Sequence, residues 1–587
     1  MKKSLFLLLL WLAAGHLWAQ TPGLVAGELT DSHPHDSEAV WARVPAAPQM
    51  GWGSIDVRYA KYNVPRDARA TIVCLSAWGG ERVAAQAVVW TRRQIDAPRV
   101  AVSDLVSGAH RIPAAAVSAN FEGYVMTDEL NHNGKSNCGA RPNKADYDSS
   151  MVADMLYGSA IDLIPARSAR PIWVSVQVPV GAKPGVYRGT LTMTAKGIKP
   201  VRLRIEVSVG RRSLPAPDKW AFNLDLWQNP YAVARVMNVP LWSRAHFDAM
   251  RPVMKMLARA GQKSITASIM LRPWNGQTED AFCSMIQRTL TVDGRWEYDY
   301  TVFDRWVNFM LHDVGIDGVI NCYTMIPWAL QFDYYDQASN TVRFVHAKPQ
   351  EAAYRDYWLP FLRDFSRHLR QQGWFRRTAI SMDERSLEDM TAAIRVIRDA
   401  DPEFHITLAG AYHPEIEAEL SYLSVPYAHP LDSTVIQRRR QRGQATTYYV
   451  CCTESFPNTF TFSEPAEAAF IPIHALAQDY DGVLRWAYNS WTAHPMRDTR
   501  FRSWPAGDTY LVYPGGRSSV RFERLVEGIQ CCEKIRLLRR HLQQSADRRG
   551  LARLDSALRV FGWGGLEQSQ LSTGQRVSRL QQVLNSL

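Results

Sequence analysis

Two adjacent carboxylates, Asp383 and Glu384, follow a short apolar run at residues 378–382 and precede a charged segment. In an extended strand neighbouring side chains point to opposite faces, so both acids reach one pocket only where the strand ends and the backbone turns. Of two carboxyl groups in a partly dry site, one stays ionised while the other holds its proton near neutral pH, because like charges repel. The pair therefore predicts a proton donor beside an anion, which suits general acid–base catalysis.

The same acids also have a structural interpretation. Asp383 could cap a helix near residues 386–390, because carboxylates often accept hydrogen bonds from the first backbone N–H groups of a helix. A second Asp-Glu pair, Asp128 and Glu129, lies in a different region without a strand-end setting. The dipeptide alone favours the structural role, and only the surrounding elements favour catalysis.

Strand-like and helix-like segments alternate over residues 216–545, with helical spacing of apolar residues at 245–260, 303–314, 354–371 and 466–479. This alternation predicts a (β/α)8 TIM barrel as the catalytic domain, with its active site at the carboxyl ends of the strands. An open doubly wound sheet is the alternative, but no glycine-rich phosphate loop follows the first strand. Asp383 and Glu384 would end the fourth strand. The eight predicted strands are 221–227, 264–271, 318–323, 378–382, 405–409, 446–452, 482–488 and 509–512.

The remaining chain divides into three further segments. Residues 20–215 contain short alternating runs, among them 171–179, 186–193 and 201–209, which predict an N-terminal β-sandwich with a loop-rich stretch at 131–148. A proline-containing linker is predicted at 211–217, and a short helical segment at 546–587. Residues 1–19 have the basic start, apolar run and small residue of a secretory signal, so we expect an exported protein, periplasmic or extracellular, without a stable membrane span.

Aromatic and amide residues gather at the predicted strand ends. Sugars present apolar ring faces edged with hydroxyl groups, so this composition suits a carbohydrate site. Core packing is the more common role for any one of the 20 tryptophans, but a cluster at strand ends favours binding. The candidates are residues 223–227 and 272–274, with Tyr323, Tyr449, Trp486, Tyr488, Asn489, Trp491 and Asp508.

The net charge of +11 is spread along the chain. Its local basic runs, at 438–440 and 536–549, are typical of solvated helix faces and lack interleaved aromatic residues, so we expect no nucleic-acid partner. The eight cysteines include two vicinal pairs, Cys451-Cys452 and Cys531-Cys532. Neighbouring cysteines seldom bridge to each other, so we predict buried free thiols. No spacing indicates a metal site, and no cofactor is predicted.

Long strings of the C-terminal half carry a family resemblance. The segments DGVLRWAYNSW at 481–491, WPAGDTYLVYPG at 504–515 and the stretch 518–533 closely resemble glycoside hydrolase family 123, and FPNTF at 456–460 and PIW at 171–173 fit as well. The resemblance covers about residues 110–540 and implies an N-terminal β-sandwich followed by a catalytic (β/α)8 barrel. Arg385 departs from the family, because a proline is frequent at this position.

The resemblance implies a retaining exo-β-N-acetylgalactosaminidase that uses substrate-assisted catalysis, an exception to the usual scheme of two enzyme carboxylates. Glu384 would be the general acid and then the base, and Asp383 would orient the 2-acetamido group and stabilise an oxazolinium intermediate. A tyrosine among Tyr449, Tyr323 and Tyr488 would donate to the acetamido carbonyl, while Trp486, Trp491 and Asp508 would hold the sugar. The expected substrates are glycolipid, mucin-type or glycosaminoglycan-derived glycans. The alternatives are another sugar specificity, such as β-N-acetylglucosamine, and a non-catalytic glycan-binding protein.

Overall fold

The computed structural model describes residues 27–31, 34–136, 138–139, 141 and 143–587. The predicted signal segment lies outside these residues. Within them, no helix is long and apolar enough to cross a membrane.

The N-terminal region forms two β-sheets, as the alternating segments predict. A five-stranded sheet has the order β1-β3-β11-β8-β9, and a six-stranded sheet has the order β2-β13-β12-β6-β7 with β5 also paired to β12. Buried side chains from both, such as Val174 and Ile205, share one core, so the predicted β-sandwich is confirmed. Its elements are α1 (Glu38–Ala42), β1 (Gln49–Gly53), β2 (Ile72–Gly79), β3 (Arg82–Thr91), β4 (Ile95–Asp96), β5 (Arg99–Val102), β6 (Leu105–Ser107), β7 (His110–Ile112), β8 (Val117–Asn131), β9 (Tyr147–Gly158), β10 (Leu163–Ile164), β11 (Ser168–Gln177), β12 (Gly185–Ala195) and β13 (Ile198–Ser213).

The following region forms an eight-stranded parallel sheet in the order β14-β25-β24-β23-β22-β21-β18-β15. A parallel bridge between Leu224 and Gln262 brings its edges together, so the sheet is a nearly closed barrel and the barrel prediction is confirmed. The strands of this region are β14 (Asn223–Leu226), β15 (Ser264–Ser268), β16 (Gln287–Leu290), β17 (Trp296–Asp299), β18 (Val319–Tyr323), β19 (Gln331–Asp336), β20 (Thr341–His346), β21 (Thr378–Met382), β22 (His405–Ala409), β23 (Leu420–Pro426), β24 (Ala445–Tyr449) and β25 (Gly482–Arg485).

One predicted barrel strand is wrong. Residues 509–512 contribute only an isolated bridge between Tyr510 and Asn489. The barrel strand that the prediction lacked is β23, the sixth in chain order. This strand escaped the pattern because polar residues interrupt its apolar run: Ser424 points into the core of the barrel region and is buried, and Tyr422 bonds to Thr447 on β24 at 2.7 Å.

Amphipathic helices cover the barrel. In helix α5 (Ala352–Gln371) the buried residues Tyr354, Trp358, Phe361 and Phe365 recur every three or four positions and form one apolar stripe. Strands β16, β17, β19 and β20 form a separate four-stranded sheet, and its inner face packs on α5 through Phe332. The helices are α2 (Pro230–Met237), α3 (Arg244–Ala258), α4 (Thr301–Asn308), α5 (Ala352–Gln371), α6 (Leu387–Ala400), α7 (Ser433–Gln441), α8 (Pro465–Ala477), α9 (Val520–Gln544), α10 (Arg548–Arg559), α11 (Trp563–Gln568) and α12 (Thr573–Ser586).

Buried charges join the two domains. Arg521 at the start of α9 bonds to Asp154 on β9 at 3.0 Å, and both side chains are buried. The predicted linker is shorter than expected, because β13 runs to Ser213 and Leu214 is buried. These contacts fix the sandwich against the barrel.

The cysteine prediction is wrong at one vicinal pair. Cys452 forms a disulfide with Cys138, 314 residues earlier in the loop-rich stretch of the sandwich, and Cys451 is only partly buried. Cys531 and Cys532 are free and buried, as predicted. The disulfide links an N-terminal loop to a loop of the barrel, a pairing that no local spacing reveals.

Candidate active site

A cavity of about 370 Å³ opens at the carboxyl ends of the barrel strands. Its walls combine indole rings, three carboxyl groups and the disulfide-linked loops. The lining includes Trp227, Trp274, Trp328, Asp383, Glu384, Tyr449, Glu454, Trp486, Trp504 and the Cys138–Cys452 bridge.

Asp383 follows β21, a strand whose five residues are all buried. Its Oδ1 accepts a hydrogen bond from the Glu384 backbone N–H at 2.8 Å, and its Oδ2 accepts from the Trp328 indole N–H at 3.2 Å. The side chain is nearly inaccessible, and burial raises its pKa to about 6, with the Glu384 charge adding to the rise. Asp383 is therefore an anion at neutral pH that becomes neutral in mild acid.

Glu384 accepts a hydrogen bond at Oε1 from the hydroxyl of Tyr449, the last residue of β24. Burial, together with the Glu384 charge, raises the pKa of this phenol well above its ordinary value. Tyr449 therefore keeps its proton and holds the Glu384 carboxyl in one orientation. Asp383 and Glu384 both line the cavity, as expected where a strand ends and the backbone turns.

The helix-cap interpretation of Asp383 is wrong. Ser386 is the N-cap of α6, and its side chain accepts from the Asp389 backbone N–H at 3.1 Å. Arg385 donates from its Nε to the Ile326 carbonyl at 2.8 Å, and its guanidinium lies over the Trp328 ring. Both carboxyl groups of the pair are therefore left to the cavity.

Aromatic rings form one wall of the cavity. Trp227 and Trp274 stack with ring centroids 5.0 Å apart, and the buried ring of Tyr323 packs against both. Tyr323 thus supports this wall from behind. The stacked indoles present the broad apolar surface that a sugar ring packs against.

The cavity lining also contains Trp486, whose indole N–H donates to Asp508 Oδ2 at 3.1 Å. Asp508 is fully buried and pairs with Arg485 at 2.9 Å, so it holds Trp486 in place and has no surface for a ligand. Trp504 meets Trp486 edge to face. The predicted residue Trp486 is therefore brought to the cavity, and Asp508 lies behind it.

Three other predicted residues lie away from the cavity, because the chain turns inward after β25. The Tyr488 hydroxyl donates to the Val253 carbonyl at 2.9 Å. Asn489 donates to the Asn229 carbonyl at 2.8 Å. The indole N–H of Trp491 donates to the Val512 carbonyl at 2.7 Å, with the ring fully buried. The structure gives all three packing roles.

Glu454 is a third carboxyl in the cavity wall, which the sequence pattern did not indicate. Its Oε2 accepts from the Cys451 backbone N–H at 2.8 Å and its Oε1 from the Thr453 hydroxyl at 2.8 Å. In the part of the chain that the structure describes, no ion pair involves Glu454. Its unused lone pairs suit sugar hydroxyl groups. Across the described residues, no group of three or more His, Cys, Asp or Glu side chains comes together to hold a metal ion.

Comparison with known proteins agrees with this architecture. The model of the glycoside hydrolase 123 catalytic domain matches residues 227–538, and that of the glycoside hydrolase 123 N-terminal domain matches residues 52–195. A family 123 glycoside hydrolase from Clostridium perfringens, studied for glycolipid glycan hydrolysis, superposes with a TM-score of 0.80 at 24% identity, covering 92% of this chain and 97% of that one.

Other solved structures are much less similar to this chain. A GH5 xyloglucanase from Bacteroides ovatus matches at 10% identity with a TM-score of 0.29, over 78% of this chain and 98% of that one. No curated protein matches the sequence.

Proposed function

The chain belongs to glycoside hydrolase family 123, and from this premise we propose that it is a retaining exo-β-N-acetylgalactosaminidase. Its reaction would be the hydrolysis of terminal β-linked N-acetylgalactosamine from glycans. The observation that carries the proposal is the pair of carboxyl groups at the barrel mouth: Asp383, buried and bonded to Trp328, and Glu384, oriented by Tyr449.

In the proposed reaction Glu384 first donates its proton to the glycosidic oxygen as the bond to C1 breaks. The carbonyl oxygen of the substrate's own 2-acetamido group attacks C1, which gives a cyclic oxazolinium ion and frees the alcohol. Glu384, now a carboxylate, takes a proton from water as that water attacks C1. The ring opens, the acetamido group is restored, and two inversions leave the configuration at C1 retained.

Asp383 would act on the acetamido group. An anion beside the amide N–H orients the carbonyl oxygen toward C1 and stabilises the positive charge that the ring acquires. Its raised pKa of about 6 leaves it ionised at neutral pH, and the Trp328 N–H holds one oxygen in place. Of the three candidate tyrosines only Tyr449 reaches the carboxyl pair, so it is our choice for the group that also meets the acetamido carbonyl.

The remaining walls would bind the sugar. Trp227, Trp274 and Trp486 offer apolar faces, and Glu454 offers carboxylate oxygens for hydroxyl groups. The substrate would carry its sugar on a lipid, a mucin-type chain or a glycosaminoglycan fragment, and the Clostridium perfringens relative was studied for glycolipid glycans. We also propose export from the cytoplasm, which the Cys138–Cys452 disulfide supports because such bonds persist in oxidising compartments.

The direct test compares chromogenic β-N-acetylgalactosaminide with β-N-acetylglucosaminide, using the wild type, Glu384→Gln and Asp383→Asn. We expect a strong preference for the galacto sugar and loss of turnover in both variants. A preference for the β-N-acetylglucosaminide would indicate a different sugar specificity with the same mechanism. A wild type without activity on either sugar would favour a binding protein and refute the proposal.

A further inference from the structure

Glu454 lies in the cavity wall on a loop and not on a helix or strand. Residues 450–464 connect β24 to α8, and connections of this length in a compact domain are usually functional. The two carboxyl oxygens of Glu454 accept from the Cys451 backbone N–H and from the Thr453 hydroxyl. Both donors belong to the same turn, so the carboxyl group moves wherever residues 451–455 move.

The loop that follows β8 in the N-terminal domain holds this turn from outside the barrel. Three residues of the turn contact that loop: Cys452 in the disulfide with Cys138, Thr453 whose carbonyl accepts from the Ser136 hydroxyl at 3.3 Å, and Ser455 whose hydroxyl donates to the Gly134 carbonyl at 3.0 Å. Only the disulfide is covalent, and hydrogen bonds that water can replace contribute little net free energy. The disulfide is therefore the strongest contact between the turn and the N-terminal domain.

On the barrel side, the turn is anchored through its backbone. The Asn458 side chain donates to the carbonyls of Cys451 and Glu454 at 2.6 and 2.7 Å. Among the ion pairs of the described residues none involves Glu454, and Cys138 itself lines the cavity. Breaking the disulfide should therefore loosen the turn without releasing it, and the carboxyl group would shift relative to a sugar in the cavity.

We propose that the Cys138–Cys452 disulfide is a positioning element of the sugar site and that its redox state sets the affinity of the cavity for sugar. In the oxidised protein the N-terminal domain fixes Glu454 where its carboxylate accepts from a sugar hydroxyl group. In the reduced protein the turn moves. Because a hydrogen bond between two oxygens needs a separation of about 2.5–3.0 Å, a shift on the order of 1 Å removes it.

The change would act on binding and not on the chemical step. Asp383 is held by the Trp328 indole and the Glu384 backbone, and Glu384 by the Tyr449 hydroxyl, so none of these bonds involves the turn. The inference rests on the proposed function, because Glu454 needs a sugar to recognise. It implies that the protein reaches full sugar affinity only in compartments where disulfides persist.

The test measures KM and kcat for the chromogenic β-N-acetylgalactosaminide with the oxidised wild type, the same protein reduced by dithiothreitol, and the reduced protein after reoxidation. One thiolate of the reductant attacks a sulfur of the bridge and displaces the other sulfur as a thiolate. The second thiolate of the reductant then closes its own disulfide, which leaves Cys138 and Cys452 as thiols. Thiol titration verifies the reduction, and near-ultraviolet circular dichroism checks that the reduced protein stays folded.

We expect reduction to raise KM about fivefold and to change kcat by less than about twofold. The rise cannot exceed the loss that Glu454→Gln itself causes, about tenfold. Reoxidation should restore the original KM, which damage to the fold would not allow. Cys138→Ser should reproduce the KM of the reduced wild type and be insensitive to the reductant. The matched control is Cys74→Ser, which replaces an exposed free cysteine on β2 and should respond to the reductant as the wild type does.

Glu454→Gln separates this route from other effects of reduction. Without the carboxylate, reduction should leave KM nearly unchanged, because two changes that act through one contact are not additive. A fivefold rise that persists in Glu454→Gln would overturn the inference. So would an active wild type whose KM is the same in both redox states.

Free N-acetylgalactosamine distinguishes failure of the inference from failure of the proposed function. Its binding is followed by the fluorescence of the cavity tryptophans in oxidised and reduced protein. In a wild type that hydrolyses neither chromogenic sugar, weaker binding after reduction would sustain the inference and refute the enzymatic proposal alone, whereas equal binding would refute both. A protein that neither hydrolyses nor binds the sugar would also refute both.

Discussion

Acidification should inactivate the enzyme by protonating Asp383. Its pKa of about 6 results mainly from burial, and the proposed reaction requires the charged form, which is populated above the pKa. The ionised fraction is about one tenth at one pH unit below the pKa and about one hundredth at two units below. Because kcat/KM reports groups of the free enzyme, it should fall about tenfold near pH 5 and about a hundredfold near pH 4, relative to its plateau.

The assay is kcat/KM for the chromogenic β-N-acetylgalactosaminide from acid to neutral pH. Asp225 supplies the control, because it is also buried, its pKa is also raised to about 6 by burial, and it bonds to Ser264 inside the barrel. The variant Asp225→Asn should therefore keep the acid limb, whereas Asp383→Asn should lose most activity and the limb with it. A profile that stays flat or rises on acidification would show that activity does not require ionised Asp383, and an acid limb that disappears in Asp225→Asn would assign the limb to Asp225.

Three further predictions concern the cavity walls. Tyr449→Phe removes the hydrogen bond that orients the Glu384 carboxyl, so kcat/KM should fall by about ten- to a hundredfold, and unchanged kinetics would exclude the orienting role. Glu454→Gln should raise KM for the galacto sugar about tenfold through weaker acceptance of its hydroxyl groups, and an unaltered KM would place Glu454 outside the sugar site. Cys138→Ser should lower the unfolding free energy by about 2–5 kcal/mol, seen as a lower Tm. A reductant should have no further effect on the Tm of this variant. A Tm equal to that of the wild type would show that the disulfide with Cys452 does not stabilise the protein.

Most of the barrel was predictable because local patterns determine it. The run at 378–382 is apolar throughout since β21 is buried on both faces, and helix α5 shows its buried stripe at helical spacing. Strand β23 was missed because the barrel interior beside it is polar, so Ser424 and its neighbours broke the apolar run. The bridge from Cys138 to Cys452 has no local signature at all.

The site was predictable only where it follows directly from strand ends. Asp383, Glu384 and Tyr449 come within two residues of the ends of β21 and β24, and all three line the cavity. A residue's position after a strand does not determine where its side chain points. The chain beyond β25 turns inward, which takes Trp491 into the core. Glu454 and two further lining tryptophans come from long loops, whose paths depend on distant contacts. The indole N–H of Trp504, for example, donates a hydrogen bond to the Gln277 carbonyl at 2.8 Å.

Fluorination of the substrate's 2-acetamido group tests whether its carbonyl oxygen is the nucleophile in the proposed reaction. Chromogenic β-galactosaminides would carry N-acetyl, N-fluoroacetyl, N-difluoroacetyl and N-trifluoroacetyl groups, with kcat/KM measured for each. Fluorine withdraws electrons from the carbonyl oxygen, so kcat/KM should fall steeply and progressively along the series, with the galacto product released in the retained configuration. A flat series would show that the acetamido oxygen does not attack C1.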